Sequence, residues 1–449
     1  MPAERPSQPP PTRPTAGPPT WAVALAGALT LAVAMGIGRF AFTPLLPMMM
    51  RDGTLDAAGG AELAAANYLG YLVGALSAGR LARQPLPLVL ASLPAIAVLT
   101  AAPGLLHGMA LWSLLRFGAG LCSAWAMVAI STWCLGLLAQ RGRSALGGPV
   151  FSGVGAGLTL AGLMAWWGGA WPADRLWLLL GGVAGVLAAL VWGLVWGRVW
   201  RTGRWAGRGA LSPPPAPMAA TAEPPPGHAA PDRLPAGSWP LVVCYGSFGL
   251  GYILPATFLP AMARALLDDP RSFGLVWPAF GLAAMASTGL VLGWLARWPA
   301  RFPALRVWSV CQYLMATGVA LPVLSTSPWA IAGAALLVGG TFVLATVIAM
   351  QLARALAPDH PAALIGRMTV AFAVGQIAGP LLVRAATGLA WGSWTPIQQV
   401  SALATALLLL TARWLWRAES RVAKPGGAKP GGAKPNPAPA GITQRGKLR

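Results

Sequence analysis

Gly36-Ile-Gly-Arg-Phe-Ala-Phe-Thr-Pro-Leu-Leu-Pro47 lies in the first long apolar stretch of this 449-residue chain. Its glycine and proline spacing recurs from residue 249, an offset of 213, where Gly249-Leu-Gly-Tyr252 leads to Pro260. A second echo, between Gly79-Arg-Leu-Ala-Arg83 and Gly293-Trp-Leu-Ala-Arg297, has an offset of 214. Two matches at nearly one offset predict an internal duplication and two structurally related halves.

The composition around these motifs is that of a membrane protein. Hydrophobic residues make up 56% of the chain and charged residues only 10%, with a mean hydropathy of +0.61. A soluble protein of this length needs far more charge to cover its surface. Apolar runs of about 20 residues or more are long enough to cross a hydrocarbon core of ~30 Å. We therefore predict an all-α membrane protein of twelve transmembrane helices in two pseudo-symmetric six-helix bundles.

Apolar runs between charged or turn-rich breaks predict six spans in each half. The first six are Trp21–Met48, Ala61–Leu81, Leu86–Leu106, Met109–Ala139, Ala145–Trp171 and Leu176–Val199. The second six are Trp239–Leu266, Phe273–Leu295, Phe302–Leu324, Trp329–Leu352, Leu364–Leu389 and Thr395–Trp416. The predicted domains are thus a disordered N-terminus (1–20), a first bundle (21–199), a cytoplasmic Pro-rich linker (200–238), a second bundle (239–416) and a disordered basic tail (417–449).

Positive charge in this chain indicates orientation in a membrane. The net charge is +21, but the charges lie between apolar runs and not on one face, so we predict no nucleic-acid partner. Arginine and lysine concentrate in the N-terminus, the linker, the tail and alternate loops, which the positive-inside rule assigns to the cytoplasm. We expect a multi-pass protein of the inner (plasma) membrane, with both termini cytoplasmic, the lipid bilayer as its surroundings and a monomeric state.

The motifs resemble the major facilitator superfamily of transporters, over residues 21–416. Gly36-Ile-Gly-Arg-Phe-Ala-Phe-Thr-Pro-Leu-Leu-Pro47, together with Ala66-Asn-Tyr-Leu-Gly-Tyr-Leu-Val-Gly74, is similar to the YbfB/YjiJ-like branch of that superfamily. Arg116-Phe-Gly-Ala-Gly120 is similar to the superfamily's fourth-helix Arg-x-x-x-Gly motif. The resemblance implies that the first and fourth helices line a central cavity between two bundles.

One position departs from the superfamily's pattern. The loop between its second and third helices usually carries an aspartate after Gly-x-Leu-Ala, whereas this chain has Arg83 there and Arg297 at the equivalent place in the second half. We take both arginines as candidates for conformational gating, since the resemblance implies a latch at this loop.

Two arginines inside spans are the main candidates for substrate binding. Arg39 lies near the outer end of span one, and Arg116 lies about seven residues into span four, which runs in the opposite direction. An ionised side chain in a membrane is costly unless it meets water or a partner. Two guanidiniums at one depth would suit a carboxylate or another oxyanion. The alternatives are that they bind helix carbonyls and only stabilise the bundle, or that they serve in energy coupling.

Polar residues on other spans are further candidates. Asn67 and Tyr71 lie on one stripe of span two with Gly74, and Tyr245 and Tyr252 repeat that spacing on span seven. Such stripes face either a substrate path or a packed neighbouring helix. We add Thr341 on span ten and Gln376 on span eleven to the substrate-binding candidates. Arg384, near the outer end of span eleven, is expected to extend to the membrane interface.

Several kinds of chemistry are missing from the sequence. All four lysines lie in the C-terminal tail, so the P-loop motif of an ATPase is absent. The three histidines fall in different loops and the four cysteines have no paired spacing, so we predict neither a metal site nor a cofactor. The acidic residues avoid the span centres; Glu62, at the outer mouth of span two, comes nearest.

The sequence therefore predicts a secondary active transporter that moves a small molecule, such as an organic anion, by alternating access, and not an enzyme. One alternative is the membrane subunit of an ATP-driven transporter, which would need a separate ATPase chain. A second is a polytopic membrane enzyme, for which only the Asp52/Asp56 and Asp268/Asp269 pairs offer acid–base groups.

Overall fold

The computed structural model describes residues 18–81, 84–199, 239–266, 274–295, 303–357, 361–389 and 392–422. Six long helices precede the linker: α1 Thr20–Arg51, α2 Ala57–Leu81, α3 Pro85–Gly104, α4 Met109–Gln140, α5 Ser144–Trp167 and α6 Ala173–Val199. Six follow it: α7 Trp239–Leu266, α8 Val276–Trp294, α9 Ala304–Leu324, α10 Pro328–Leu356, α11 Pro361–Ala385 and α12 Pro396–Val422. The predicted all-α fold class is confirmed.

Eleven of these helices are long and apolar enough to cross a membrane. The twelfth, α2, has 25 residues but is less apolar because Glu62 and Asn67 fall within it. α12 continues past its predicted limit at Trp416 to Val422, so residues 417–422 of the predicted tail are helical. Charged residues end a membrane span but are good helix formers in water, which explains the extension. The predicted domain limits otherwise stay predictions, and the linker 200–238 lies outside the described ranges.

α1 is not the continuous helix that its apolar run predicts. Thr20–Leu31 is α-helical, Ala32–Arg39 is π-helical, and a second α-helical segment covers Phe42–Arg51. A π-helical turn shifts the backbone hydrogen bonds by one residue, and such turns are frequent at functional sites. The break at Phe40 places the side chain of Arg39 at the junction of the two segments.

Glycines allow the helices of each half to pack at backbone contact. A Cβ atom at Gly120 of α4 would collide with the backbone of α2, and one at Gly249 of α7 would collide with the backbone of α11. Association of helices within lipid depends on such close packing, because lipid tails are as apolar as the side chains. The glycine-rich composition of these spans therefore sets how the helices of each half fit together.

The two halves meet along α1 and α7, α2 and α11, and α5 and α8. Two hydrogen bonds join residues that are 213 positions apart, which is the repeat offset. Arg39 Nη2 donates to Tyr252 Oη at 3.4 Å, and Thr43 Oγ1 donates to the Ala256 carbonyl at 2.7 Å. Equivalent residues contact each other directly only near a two-fold axis. These contacts place that axis between α1 and α7, as a duplicated architecture requires.

The two halves are tightly joined at one end of the bundle. At the end near Arg51, hereafter the Arg51 end, Phe42 to Met49 of α1 and Phe248 to Pro260 of α7 are buried. At the opposite end, hereafter the Thr20 end, Trp21 and Trp239 are about 60% exposed. The structure is therefore closed between the halves at the Arg51 end.

Candidate functional site

The interruption of α1 leaves backbone groups that need partners. Arg116, on α4, is buried and donates hydrogen bonds to two of these groups. Its Nη1 donates to the Gly38 carbonyl at 3.2 Å, and its Nη2 donates to the Arg39 carbonyl at 2.8 Å. Non-helical backbone within a membrane is tolerated only where protein groups satisfy it. Arg116 and Arg39 do lie at one level, as predicted, but the guanidinium of Arg116 is directed at the broken helix.

Asn67 holds α4 at this same point. Its Nδ2 donates to the carbonyl of Arg116 at 2.8 Å, and its side chain is fully buried. The predicted stripe on α2 thus has two roles, since Asn67 bonds the neighbouring helix while Tyr71 faces Arg39. Gly74, the third member of the stripe, packs against α4 at Leu121.

The guanidinium of Arg39 is surrounded by aromatic rings. Its Cζ atom lies 3.9 Å from the ring centroid of Tyr71, 5.5 Å from that of Tyr68 and 5.2 Å from that of Phe40. Tyr252 accepts the hydrogen bond from Nη2. A desolvated cation over an aromatic face gains about 2 kcal/mol or more, so these rings stabilise the charge in place of a counter-ion.

The second half contributes a stack of three rings. The ring of Tyr252 lies between Phe342 of α10, at a centroid distance of 5.5 Å, and Phe372 of α11, at 5.4 Å; the interplanar angles are 2° and 8°. Tyr245 stacks on Phe372 at 4.8 Å. Gln376 Nε2 donates to the hydroxyl of Tyr252. The Arg39–Tyr252 contact thereby connects the aromatic groups of both halves.

The structure brings most of the predicted site residues together, with one exception. Arg39, Tyr71, Tyr252 and Gln376 are linked through direct contacts, and Asn67 through Arg116. Thr341 instead donates its hydroxyl hydrogen bond to the Leu337 carbonyl of its own helix at 2.7 Å. The gating candidates Arg83 and Arg297 lie outside the described residues.

Sequence reasoning missed the rings that surround the site. Tyr68, Phe342 and Phe372 were not among the predicted residues. A signal was present for the tyrosines, because the chain has only five, and four of them (Tyr68, Tyr71, Tyr245 and Tyr252) lie here. Tyrosine in a membrane protein usually lies at the interface, so four near the centre of the bundle indicate a special role.

At the Arg51 end, Arg384 forms an ion pair across the two halves. Its Nη1 lies 2.8 Å from Oε2 of Glu62. Glu62, the carboxylate predicted at the outer mouth of span two, is therefore paired with an arginine of the second half. The reason is that α2 and α11 pack side by side, which sequence spacing does not reveal. Nearby, Tyr68 Oη and Thr257 Oγ1 are 2.8 Å apart, and Arg264 Nη1 donates to the Pro47 carbonyl.

The carboxylate of Asp52 joins the end of α1 to the start of α6. It accepts hydrogen bonds from Arg51 Nε at 2.7 Å and from the Ala173 amide at 2.8 Å. Partial burial raises the pKa of Asp52, but these two bonds outweigh it and hold the pKa below its ordinary value. Asp52 is therefore ionised at neutral pH and links the two helices. As for metal binding, the described residues contain no group of three side chains that could hold a metal ion.

Comparisons with known proteins agree with this architecture. Crystal structures of the nucleoside transporter NupG and of a point mutant of it each superpose with a TM-score of 0.61 at 12% identity. They cover 89% of this chain and 98–99% of theirs, which shows the fold alone. No curated protein sequence matches the chain. Residues 31–414 match the family described as uncharacterised MFS-type transporter YbfB. The chain therefore belongs to that family of the major facilitator superfamily.

Proposed function

We propose that this protein is a secondary transporter that carries a small organic anion across the inner membrane by alternating access, with Arg39 as the group that binds the anion. The observation that supports this proposal is the environment of Arg39. Its side chain is 2% exposed at the junction of the two halves, and its contacts among the described residues are aromatic rings and a hydroxyl. An incoming carboxylate would neutralise a charge that no described carboxylate contacts.

The hydrogen-bonding state of Arg39 favours a carboxylate further. A planar carboxylate binds a guanidinium through two parallel N–H groups, for example Nε and Nη2. Within the described part of the chain, Nε of Arg39 is buried and has no hydrogen-bond partner. Nη2 makes a long contact of 3.4 Å with Tyr252. A carboxylate would satisfy Nε and exchange a long hydrogen bond for a short one.

The closure of the two halves at one end of the bundle supports alternating access. At the Arg51 end, Phe42 to Met49 of α1 and Phe248 to Pro260 of α7 are buried. With both termini in the cytoplasm, as the positive-inside rule predicts, this conformation is closed toward the outside. Transport then requires rocking of the two halves about the Arg39–Tyr252 contact, so that the Arg51 end opens as the other end closes.

The proposal is tested by ligand binding to the purified full-length protein. Carboxylates, cations and neutral compounds of similar size are compared on the wild type, on Arg39→Lys and on Arg39→Gln, with Arg354→Lys, at an exposed position on α10, as the control. We expect carboxylate affinity to fall about tenfold in Arg39→Lys, which loses the two-pronged geometry, and about a hundredfold in Arg39→Gln. Cations that bind all four proteins equally well would refute the anion site.

A further inference from the structure

The rings at the centre of the molecule go beyond what anion binding needs. Tyr68 and Tyr71 of the first half stabilise the charge of the guanidinium through cation–π contacts. The second half adds Phe342 and Phe372, which stack on Tyr252 and which a carboxylate site does not need. Both halves therefore place aromatic rings at the contact between Arg39 and Tyr252.

The geometry of the rings suits a planar guest. The ring of Tyr252 is nearly parallel to those of Phe342 and Phe372, and Cζ of Arg39 lies 3.9 Å from the ring centroid of Tyr71. The site is therefore lined by flat groups in two places, one on each side of the contact between the halves. A flat ring gains offset-stacking contacts in such surroundings, whereas a puckered aliphatic ring of the same size does not.

Two of the rings are partly accessible. Tyr71 on α2 and Phe372 on α11 are half-buried, whereas Tyr68, Tyr252 and Phe342 are buried. α2 and α11 are also the neighbours that face each other across the two halves. Each half therefore has one partly accessible ring close to the Arg39–Tyr252 contact.

From these observations we infer that the transported anion is an aromatic carboxylate: its carboxylate binds Arg39 in competition with the hydroxyl of Tyr252, and its ring stacks on Tyr71 or Phe372. This inference rests on the proposed function, because it assumes that Arg39 binds the anion. It goes further than that proposal because it states that the group attached to the carboxylate is a flat aromatic ring.

Three probes of similar size separate the ring from the charge. Benzoate has both a flat ring and a charge, cyclohexanecarboxylate has the charge on a puckered ring, and benzamide has the flat ring without the charge. Binding of each to the purified full-length protein is measured by calorimetry. We expect benzoate to bind roughly five- to tenfold more tightly than cyclohexanecarboxylate, as expected for one ring–ring contact, and benzamide to bind more weakly than either.

Substitutions of the rings test whether the preference for benzoate over cyclohexanecarboxylate depends on ring stacking. Phe372→Leu and Tyr71→Leu each replace one of the two candidate rings by an apolar side chain, so one of the two should bring the preference for benzoate close to onefold while cyclohexanecarboxylate still binds. Phe258→Leu, a buried position farther along α7, is the control and should keep the preference.

The outcomes distinguish the inference from the function on which it rests. Equal binding of benzoate and cyclohexanecarboxylate, both weakened in Arg39→Gln, would overturn the aromatic substrate and retain the anion transporter. Benzamide binding as tightly as benzoate, or binding of none of the three, would overturn both. A preference for benzoate that survives in both Phe372→Leu and Tyr71→Leu would also overturn the inference, because the ring would then be recognised elsewhere.

Discussion

The ion pair between Glu62 and Arg384 is expected to hold the Arg51 end closed, and charge substitutions should open it by a small and measurable factor. The two side chains are 42% and 51% exposed, with 2.8 Å between Oε2 and Nη1. An exposed pair of this kind contributes about 0.2–1 kcal/mol. Loss of the pair in Glu62→Gln or Arg384→Gln should therefore raise the population open at the Arg51 end about 1.4- to 5-fold.

A cysteine reporter measures that population. Ala256→Cys introduces a thiol that is buried while the Arg51 end is closed, and the four native cysteines are buried. Its labelling by an impermeant thiol reagent, applied from the Arg51 side, should accelerate by the same factor in each single variant. The reversed pair, Glu62→Arg with Arg384→Glu, should return the rate toward that of the parent.

Asp56→Asn is the control for removing a carboxylate at this end of the protein. Asp56 lies just before α2, and its Oδ1 accepts a hydrogen bond from the Gly59 amide; the described residues of the second half make no hydrogen bond or ion pair with it. The Ala256→Cys protein that also carries Asp56→Asn should be labelled at the same rate as the Ala256→Cys protein alone. The reasoning is refuted if the two single variants label at the rate of the control, or if the reversed pair labels faster than either single variant.

Three further outcomes are expected. Arg116→Ala should nearly abolish transport and lower the melting temperature of the purified protein, because the Gly38 and Arg39 carbonyls lose their donors; unchanged stability would show that α1 keeps its shape without Arg116. Gly181→Ala should lower the melting temperature because its Cβ would lie 2.5 Å from that of Ala101, whereas Gly182→Ala, with nothing within 4 Å, should be neutral or stabilising; equal effects would contradict this packing of α3 on α6. Reporter fusions at Gly207 and after Arg417 should read cytoplasmic and one in Ala57–Gly60 external; an external signal at Gly207 would reverse the orientation.

The fold was predictable because its signals are long and redundant. Apolar runs located all twelve helices, and the two repeats at nearly one offset predicted which residues are equivalent. The break in α1 was not predictable, since a shift of backbone hydrogen bonds between Ala32 and Arg39 leaves no mark in a run of small apolar residues. Helix ends were also misjudged wherever charged residues continue a helix into water, as in α12.

The site was predictable only in part. Polar and charged residues in apolar spans are conspicuous, so Arg39, Tyr252 and Gln376 were found by type alone. Which of them contact each other depends on helix rotation, and a sequence does not specify that rotation; Thr341 therefore looked equivalent to Gln376 although it bonds its own helix. Phenylalanine is common in every span, so Phe342 and Phe372 carried no signal before their neighbours were known.

The contact between Arg39 and Tyr252 has a consequence for the origin of this protein. A dimer of two identical six-helix chains would place each residue on the axis opposite its own copy. Two copies of the first half would then bring Arg39 against Arg39, and two guanidiniums in contact repel each other strongly in dry surroundings. The present pair requires one arginine and one tyrosine. The gene duplication therefore had to be followed by divergence at this position, and two copies of the first half, expressed as a separate chain, should not assemble with each other.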